Sequence, residues 1–151
     1  MALSRSFTPD LVIKNLDSDP IAVIEVEGGT YMSSDFATEI RRNMLRSGLP
    51  THIPYFLVLS QDLGYLWKDS EQNGPGTPPT CEFPMDGIIR RYSNREPNQR
   101  LFETELEYVM LKWLTSLSIK PQVTEEPEKT LATSGFIDAI KEAMVLIEEK
   151  L

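Results

Sequence analysis

Two apolar runs near the start of the chain predict neighbouring β-strands. The first run, Leu11 to Ile13, follows Pro9 and Asp10, and the second extends from Ile21 to Glu27. Asn, Asp, Ser and Pro are concentrated between the runs, and these residue types favour a turn. We therefore predict that the two runs form an antiparallel pair of strands.

The second run alternates so that two carboxylates are separated from an apolar face. Successive side chains of a strand point to opposite faces of the sheet. Glu25 and Glu27 therefore share one face with Val23. The residues of the opposite face are Ala22, Ile24 and Val26. Either the two glutamates belong to a functional site, or they form an ordinary charged face turned to solvent.

The next segment has the spacing of an amphipathic helix. Its apolar residues recur at helical intervals from Phe36 to Met44. Ser33 or Ser34 can cap the start of this helix, and Gly48 is of a residue type that commonly ends one. We therefore predict a helix between these serines and Gly48.

Two further strands are predicted in the middle of the chain. Residues 54–59 are almost all apolar, which is typical of a strand buried on both faces. After a short turn, residues 65–68 have the pattern of another strand. Residues 69–84 contain four prolines and two glycines, so we predict an exposed loop there.

The C-terminal half is predicted to be helical. Apolar residues between 101 and 117 repeat at helical spacing, whereas residues 119–133 contain two prolines and predict a linker. Residues 134–151 predict an amphipathic helix that packs on the core or on a partner chain. The domain organisation is then a core over residues 1–118, a linker and a C-terminal helix. The order of strands and helices favours an α/β fold with a mixed sheet.

Size and charge limit the classes of function. At 151 residues the chain has the size of one domain with a substantial core. Its net charge of −8 is opposite to that of a domain that holds nucleic acid by bulk attraction, so any DNA contact needs a local basic patch or metal ions.

Cysteine content and hydropathy indicate the compartment. The single cysteine, Cys81, excludes an intrachain disulfide and fits a reducing cytosol. No apolar stretch reaches the roughly 20 residues that span a bilayer, and Met1 to Ser6 lacks the apolar segment of a signal peptide. We therefore predict a cytoplasmic protein with no membrane partner.

The acidic residues around the first two strands are candidate metal ligands. Magnesium prefers carboxylate oxygens together with water and phosphate oxygens. Asp10 and Glu25 can supply such a pair if the two strands lie side by side. Glu27 could then act as a base or as a third ligand, or it could leave the site inert.

The same residues resemble a known motif. Pro9 and Asp10, followed by Glu25-Val26-Glu27, resemble the PD-(D/E)XK nuclease signature with its lysine replaced by glutamate. The resemblance covers roughly residues 8 to 70. Within it, three later stretches are similar to a group of bacterial restriction-endonuclease-like proteins of largely unknown role: Glu39 to Asn43, Pro54 to Val58, and Tyr65 to Lys68.

This resemblance implies a restriction-endonuclease-like fold, with a central mixed sheet flanked by helices and C-terminal helices after it. It also implies a phosphodiesterase site that uses Mg²⁺, or Mn²⁺ in its place, on DNA, and often a homodimer. Asp10 and Glu25 then occupy the two metal-ligand positions, and Glu27 occupies the lysine position.

One acidic residue of the family pattern has no obvious source in this sequence. The family often places a helix with a further acidic residue before the PD strand, but only eight residues precede Pro9 here. That contribution is expected from the C-terminal helices, from a second chain, or not at all.

A basic cluster lies on the predicted helix after the second strand. Arg41, Arg42 and Arg46 could bind phosphates that approach the carboxylates, and one guanidinium could take the place of the missing lysine. Alternatively, they form a solvated helix face with internal ion pairs.

These observations support a nuclease that hydrolyses DNA phosphodiester bonds with magnesium, using Asp10, Glu25 and Glu27. The competing interpretation is a catalytically inactive interaction or scaffold module that keeps the nuclease fold. A third is an accessory subunit that a partner chain completes.

Overall fold

The computed structural model describes residues 8–28, 31–69, 72–96 and 99–151. The N-terminal segment predicted to lack a signal peptide lies outside the described residues. The described chain forms one mixed sheet of six strands with helices on both faces. The predicted α/β class with a mixed sheet is therefore confirmed.

The elements have the following bounds. The strands are β1 (Leu11–Lys14), β2 (Pro20–Glu27), β3 (Tyr55–Ser60), β4 (Leu63–Lys68), β5 (Cys81–Pro84) and β6 (Met144–Ile147). The helices are α1 (Ser34–Arg46), α2 (Asp86–Tyr92), α3 (Glu103–Ile119), α4 (Glu128–Thr133) and α5 (Phe136–Ala139). Across the ranges that the structure describes, no helix combines the length and apolar character needed to cross a bilayer.

The sheet has the strand order β5-β4-β3-β2-β1-β6. Strands β2 and β3 pair in parallel and are connected through α1, whereas the other neighbours are antiparallel. The register of the first hairpin places Leu11 opposite Ile24. The beginning of β1 and the end of β2 therefore meet at one end of the sheet, as the sequence predicts.

The alternation of β2 divides the core into two layers. Val23 packs with Phe56, Trp67 and the residues of α1 on one face. Ile24 packs with Trp113 and the other helices on the opposite face. Every residue of β3 is buried, because both layers cover it.

Helix α1 begins where its sequence predicts. The Ser33 hydroxyl oxygen accepts a hydrogen bond from the Phe36 backbone N–H at 3.1 Å, which caps the first turn. The chain leaves the helix through Gly48, whose φ of 109° favours glycine.

The predicted linker and C-terminal helix are both corrected. Residues 128–133 form α4, and Leu131 is fully buried in the core, so the segment is part of the domain. After α5 the chain turns at Glu142, which has a positive φ of 63°, and β6 then pairs with β1. Within residues 134–151 the helix α5 ends at Ala139. The apolar run that follows pairs instead with the edge of β1 that β2 leaves free.

The predicted loop over residues 69–84 also needs correction. Its last residues form β5, which pairs with β4 and buries Phe83. Short β-strands flanked by prolines are difficult to recognise from sequence because their pairing partner supplies most of the stabilisation.

Glu128 connects the corrected segment to two other helices. Its side chain is only 2% exposed and accepts hydrogen bonds from Arg91 Nη2 at 2.7 and 3.0 Å and from Trp113 Nε1 at 3.1 Å. A buried donor that loses its acceptor is costly.

We therefore expect Glu128→Ala to lower the free energy of unfolding by about 2 to 3 kcal/mol. Urea denaturation measures this value. The matched control is Glu125→Ala, which removes an exposed glutamate three residues away and should leave stability nearly unchanged. Equal stability of the two variants would show that the buried ion pair does not hold α4.

Candidate functional site

The carboxylates of Asp10 and Glu25 lie side by side at the end of the first hairpin. The Asp10 backbone N–H donates to Glu25 Oε1 at 3.2 Å. In return, the Val26 backbone N–H donates to Asp10 Oδ2 at 2.8 Å. Each strand thus holds the acidic side chain of the other, and the two predicted metal ligands are brought together.

Strand β6 supports the same position from the other side. The Glu148 backbone N–H donates to the Asp10 carbonyl oxygen at 2.9 Å, directly after β6 ends. Asp10 is therefore fixed between β2 and the C-terminal segment. The correction of the C-terminus from helix to strand thus affects the site, because that segment helps to position Asp10.

Helix α3 adds two glutamates that sequence reasoning missed. Ligand oxygens of Asp10, Glu103 and Glu107 all lie within 4.8 Å of one another. Glu103 and Glu107 are four residues apart, so they share one face of the first two helical turns. Among the described residues, this trio is the group that meets this spacing, and it does not include Glu25.

A glycine allows the helix to approach the strand. A Cβ atom at Gly28, directly after β2, would lie 3.3 Å from the backbone N and Cα of Glu103. Such a distance is tighter than most side chains accept. The first turn of α3 can therefore sit against the end of β2, where Glu25 and Glu27 are located.

The signal for these two glutamates was present in the sequence but not decisive. Acidic residues near the start of a helix also stabilise the helix through its dipole, whether or not they belong to a site. Only the packing of α3 across the end of the hairpin shows that they meet Asp10.

The crowding of carboxylates changes their titration. Burial, and next the charge of Asp10, raise the pKa of Glu25 to about 9. Burial and the charges of Asp10, Glu103 and Glu148 raise the pKa of Glu107 to about 7. The pKa of Glu27 is raised by burial, by Glu103 and by Asp10.

The site therefore suits a divalent cation. Without one, these groups cannot all be ionised near neutral pH, because each charge raises the pKa values of the others. Hard oxygen donors from three separate elements are the ligand type that Mg²⁺ and Mn²⁺ prefer. The donors present fit such an ion, with Asp10 in the centre of the group.

The predicted phosphate-binding role of Arg41 is corrected. Its side chain is fully buried and donates to the carbonyl oxygens of Asn73 and Gly74 at 3.2 and 2.9 Å. Its guanidinium carbon also lies 5.6 Å from the centre of the Trp67 ring. Arg41 thus attaches the segment before β5 to α1, and burial makes it inaccessible to a phosphate.

The other two arginines of the cluster remain predictions. Arg42 pairs with Glu39 at 2.8 Å, and Arg46 is exposed in the last turn of α1. Neither is among the charges that shift the pKa values of Glu25 or Glu107.

Comparison of the chain with family models, with curated proteins and with solved structures finds no match.

Proposed function

We propose that this chain is a divalent-metal-dependent phosphodiesterase of the PD-(D/E)XK type that acts on DNA. One observation carries the proposal: carboxylates of β2 and α3 converge around Asp10, which directly precedes β1, at one end of the sheet. The mixed sheet flanked by helices supports a restriction-endonuclease-like fold.

Asp10, Glu103 and Glu107 would hold the metal, with Glu25 beside Asp10. The bound ion would stabilise negative charge on the scissile phosphate and lower the pKa of an attacking water. The acidic residue that the family takes from a preceding helix would come here from α3, which is one of the sources that the sequence leaves open.

Glu27 would accept the proton of the attacking water. Its carboxylate lies at the end of β2, half-buried beside Glu103, and its pKa is raised. A carboxylate whose pKa lies closer to neutral is a better proton acceptor than an ordinary glutamate. In this proposal Glu27 is the general base, whereas the lysine of the family motif would orient the water by its charge.

The proposal is tested by incubating the protein with supercoiled DNA in Mg²⁺ or Mn²⁺ and following nicking and linearisation. We expect cleavage with either ion and none in EDTA. Intact DNA in a preparation that binds the metal would overturn the catalytic role and support an inactive module of the same fold.

That inactive module is the second candidate function. Two observations favour it: glutamate occupies the lysine position, and the chain carries a net charge of −8. Such a module would retain the metal site as a structural feature, so metal binding alone does not separate the two candidates, whereas cleavage does.

Glu27→Gln should lower cleavage by about 100-fold at neutral pH, because it removes the proposed general base. Glu27→Lys should recover part of this loss, because its charge can orient the attacking water as the lysine of the family motif does. The lysine would also neutralise part of the acidic group around Glu103. Rates of plasmid nicking at saturating Mn²⁺ measure the effect. Glu39→Gln, which changes a surface glutamate on α1, is the control and should cleave like wild type. A Glu27→Gln variant that cleaves like wild type would contradict the assignment of Glu27 as the base.

A further inference from the structure

Two exposed aromatic residues, Tyr31 and Phe102, lie close along the chain to residues of the carboxylate site. Among the described residues, four aromatic side chains are exposed: Tyr31 by 80%, Phe36 by 45%, Phe102 by 76% and Tyr108 by 54%. Tyr31 and Phe36 lie in the connection after β2 and in the first turn of α1, whereas Phe102 and Tyr108 flank Glu103 and Glu107 along the chain.

The remaining rings show that this distribution is selective. The aromatic residues on β3, β4 and β5 are buried in the two core layers, as are Trp113 and Phe136 on the helices. Single exposed apolar residues are common on protein surfaces, but a group around one site indicates contact with a ligand. Phe102 directly precedes Glu103 at the start of α3, and Tyr31 follows β2, which carries Glu25 and Glu27. Phe36 belongs to α1, which carries none of these acidic residues.

The ring of Tyr31 is held in place by Arg100. The guanidinium carbon of Arg100 lies 4.8 Å from the centre of its ring, and Arg100 itself pairs with Asp62 at 2.7 Å. Contact with a guanidinium fixes the orientation of the ring, yet 80% of the residue stays exposed. The result is a preorganised aromatic surface.

Hydrogen bonds to Gln61 fix the segment that precedes α3. The buried side chain of Gln61 accepts from the Leu101 backbone N–H at 2.8 Å and donates to the Gln99 carbonyl at 2.6 Å. Phe102 follows directly and precedes Glu103. A flat apolar ring is therefore presented at a defined position next to a candidate metal ligand.

We propose that these rings stack on the bases of an unpaired nucleic-acid strand, so that the substrate is single-stranded. This inference rests on the proposed function. Stacking on aromatic rings supplies binding energy for each base, and the divalent ion of the proposed site would offset the repulsion between the phosphates and a chain with a net charge of −8. The bases of a duplex are already stacked on one another, so the rings select an unpaired strand whose backbone reaches the carboxylates.

Binding is measured by fluorescence anisotropy of labelled oligonucleotides, about 20 nucleotides long so that they exceed the site of a single stacking domain. The full chain is titrated in Ca²⁺ into single-stranded DNA, single-stranded RNA of the same sequence, and the DNA duplex. We expect either single strand to bind at least about tenfold more tightly than the duplex, and the two single-stranded arms to identify the preferred sugar.

Aromatic variants test the stacking directly. Tyr31→Ala and Phe102→Ala should each weaken single-strand binding by about tenfold, whereas Tyr31→Phe and Phe102→Tyr should bind like wild type. Ile119→Ala is the matched control: it removes a side chain that is 77% exposed at the far end of α3 and should have no effect. Circular dichroism verifies that each variant is folded.

The outcomes separate this inference from the proposed function. Strand binding that depends on the rings, without any cleavage, would support the inference and overturn the nuclease. Cleavage that treats duplex and single strand alike, and that survives both alanine substitutions, would overturn the inference and leave the nuclease intact. Alanine variants that change only the sedimentation of the protein would assign the rings to a protein interface and overturn the inference.

Discussion

Asp10→Asn is expected to reduce DNA cleavage by at least about 100-fold, because even an outer-shell partner of a metal ligand typically contributes 10- to 100-fold. Asp10 is the residue that every other part of the site contacts. It lies against Glu25, within 4.8 Å of the ligand oxygens of Glu103 and Glu107, and accepts from the Val26 backbone. Asparagine keeps the shape but loses the charge.

Asp86→Asn is the matched control for this experiment. Asp86 forms an exposed pair with Arg90 on α2, so its variant should cleave like wild type. Initial rates of plasmid nicking at several Mn²⁺ concentrations distinguish lost catalysis from weakened metal binding. Undiminished cleavage by Asp10→Asn would remove Asp10 from the site, and with it the proposed layout.

Glu25→Gln is expected to stabilise the metal-free protein, and to do so more strongly as the pH rises. The pKa of Glu25 is raised from 4.5 to about 9, so the folded protein holds a proton that the unfolded chain releases. The contribution of Glu25 to the free energy of unfolding is therefore fully present below pH 4.5 and is lost as the pH rises towards 9. Glutamine remains neutral over this range and keeps an oxygen that can accept from the Asp10 backbone.

Urea denaturation in EDTA at about pH 5 and about pH 8 measures this prediction, and we expect the advantage of Glu25→Gln to grow by at least about 2 kcal/mol between them. Glu39→Gln serves as the control because Glu39 forms a surface pair with Arg42. With Mn²⁺ present the advantage should shrink, since the ion offsets the repulsion between the carboxylates. A pH-independent difference would contradict a buried, protonated Glu25.

The first half of the fold could be predicted because its signals are local. The apolar run of β3, the alternation of β2 and the Ser33 cap each require only a few neighbouring residues to be recognised. The pairing of β1 with β2 followed from the short turn between them. For the same reason the proximity of Asp10 and Glu25 could be predicted from their positions at the ends of the two strands.

The C-terminal part could not be predicted because its structure depends on distant partners. Met144 to Ile147 is a short apolar run that suits a helix as well as a strand. It forms a strand because it pairs with the edge of β1, which is far away in the sequence. Likewise, Leu131 is buried because α4 packs on the core, although its surroundings in the sequence are polar and contain proline.

The site shows the same division between local and distant information. Asp10 and Glu25 were visible as a motif, whereas Glu103 and Glu107 join them through the packing of α3 against Gly28, about 75 residues further along the chain. Arg41 was misassigned because a charged residue on a predicted amphipathic helix is usually exposed. Here the carbonyl groups of Asn73 and Gly74 and the Trp67 ring make its burial favourable.

Isothermal titration of Mn²⁺ into the wild type and Asp10→Asn, repeated in buffers of different ionisation enthalpy, tests the metal centre most directly. The groups with raised pKa values, Glu25 and Glu107, must lose protons when a cation binds. We therefore predict saturable binding that releases protons near neutral pH and that disappears in Asp10→Asn. Heats that fail to saturate at millimolar Mn²⁺, or equal binding by the variant, would contradict a metal centre around Asp10.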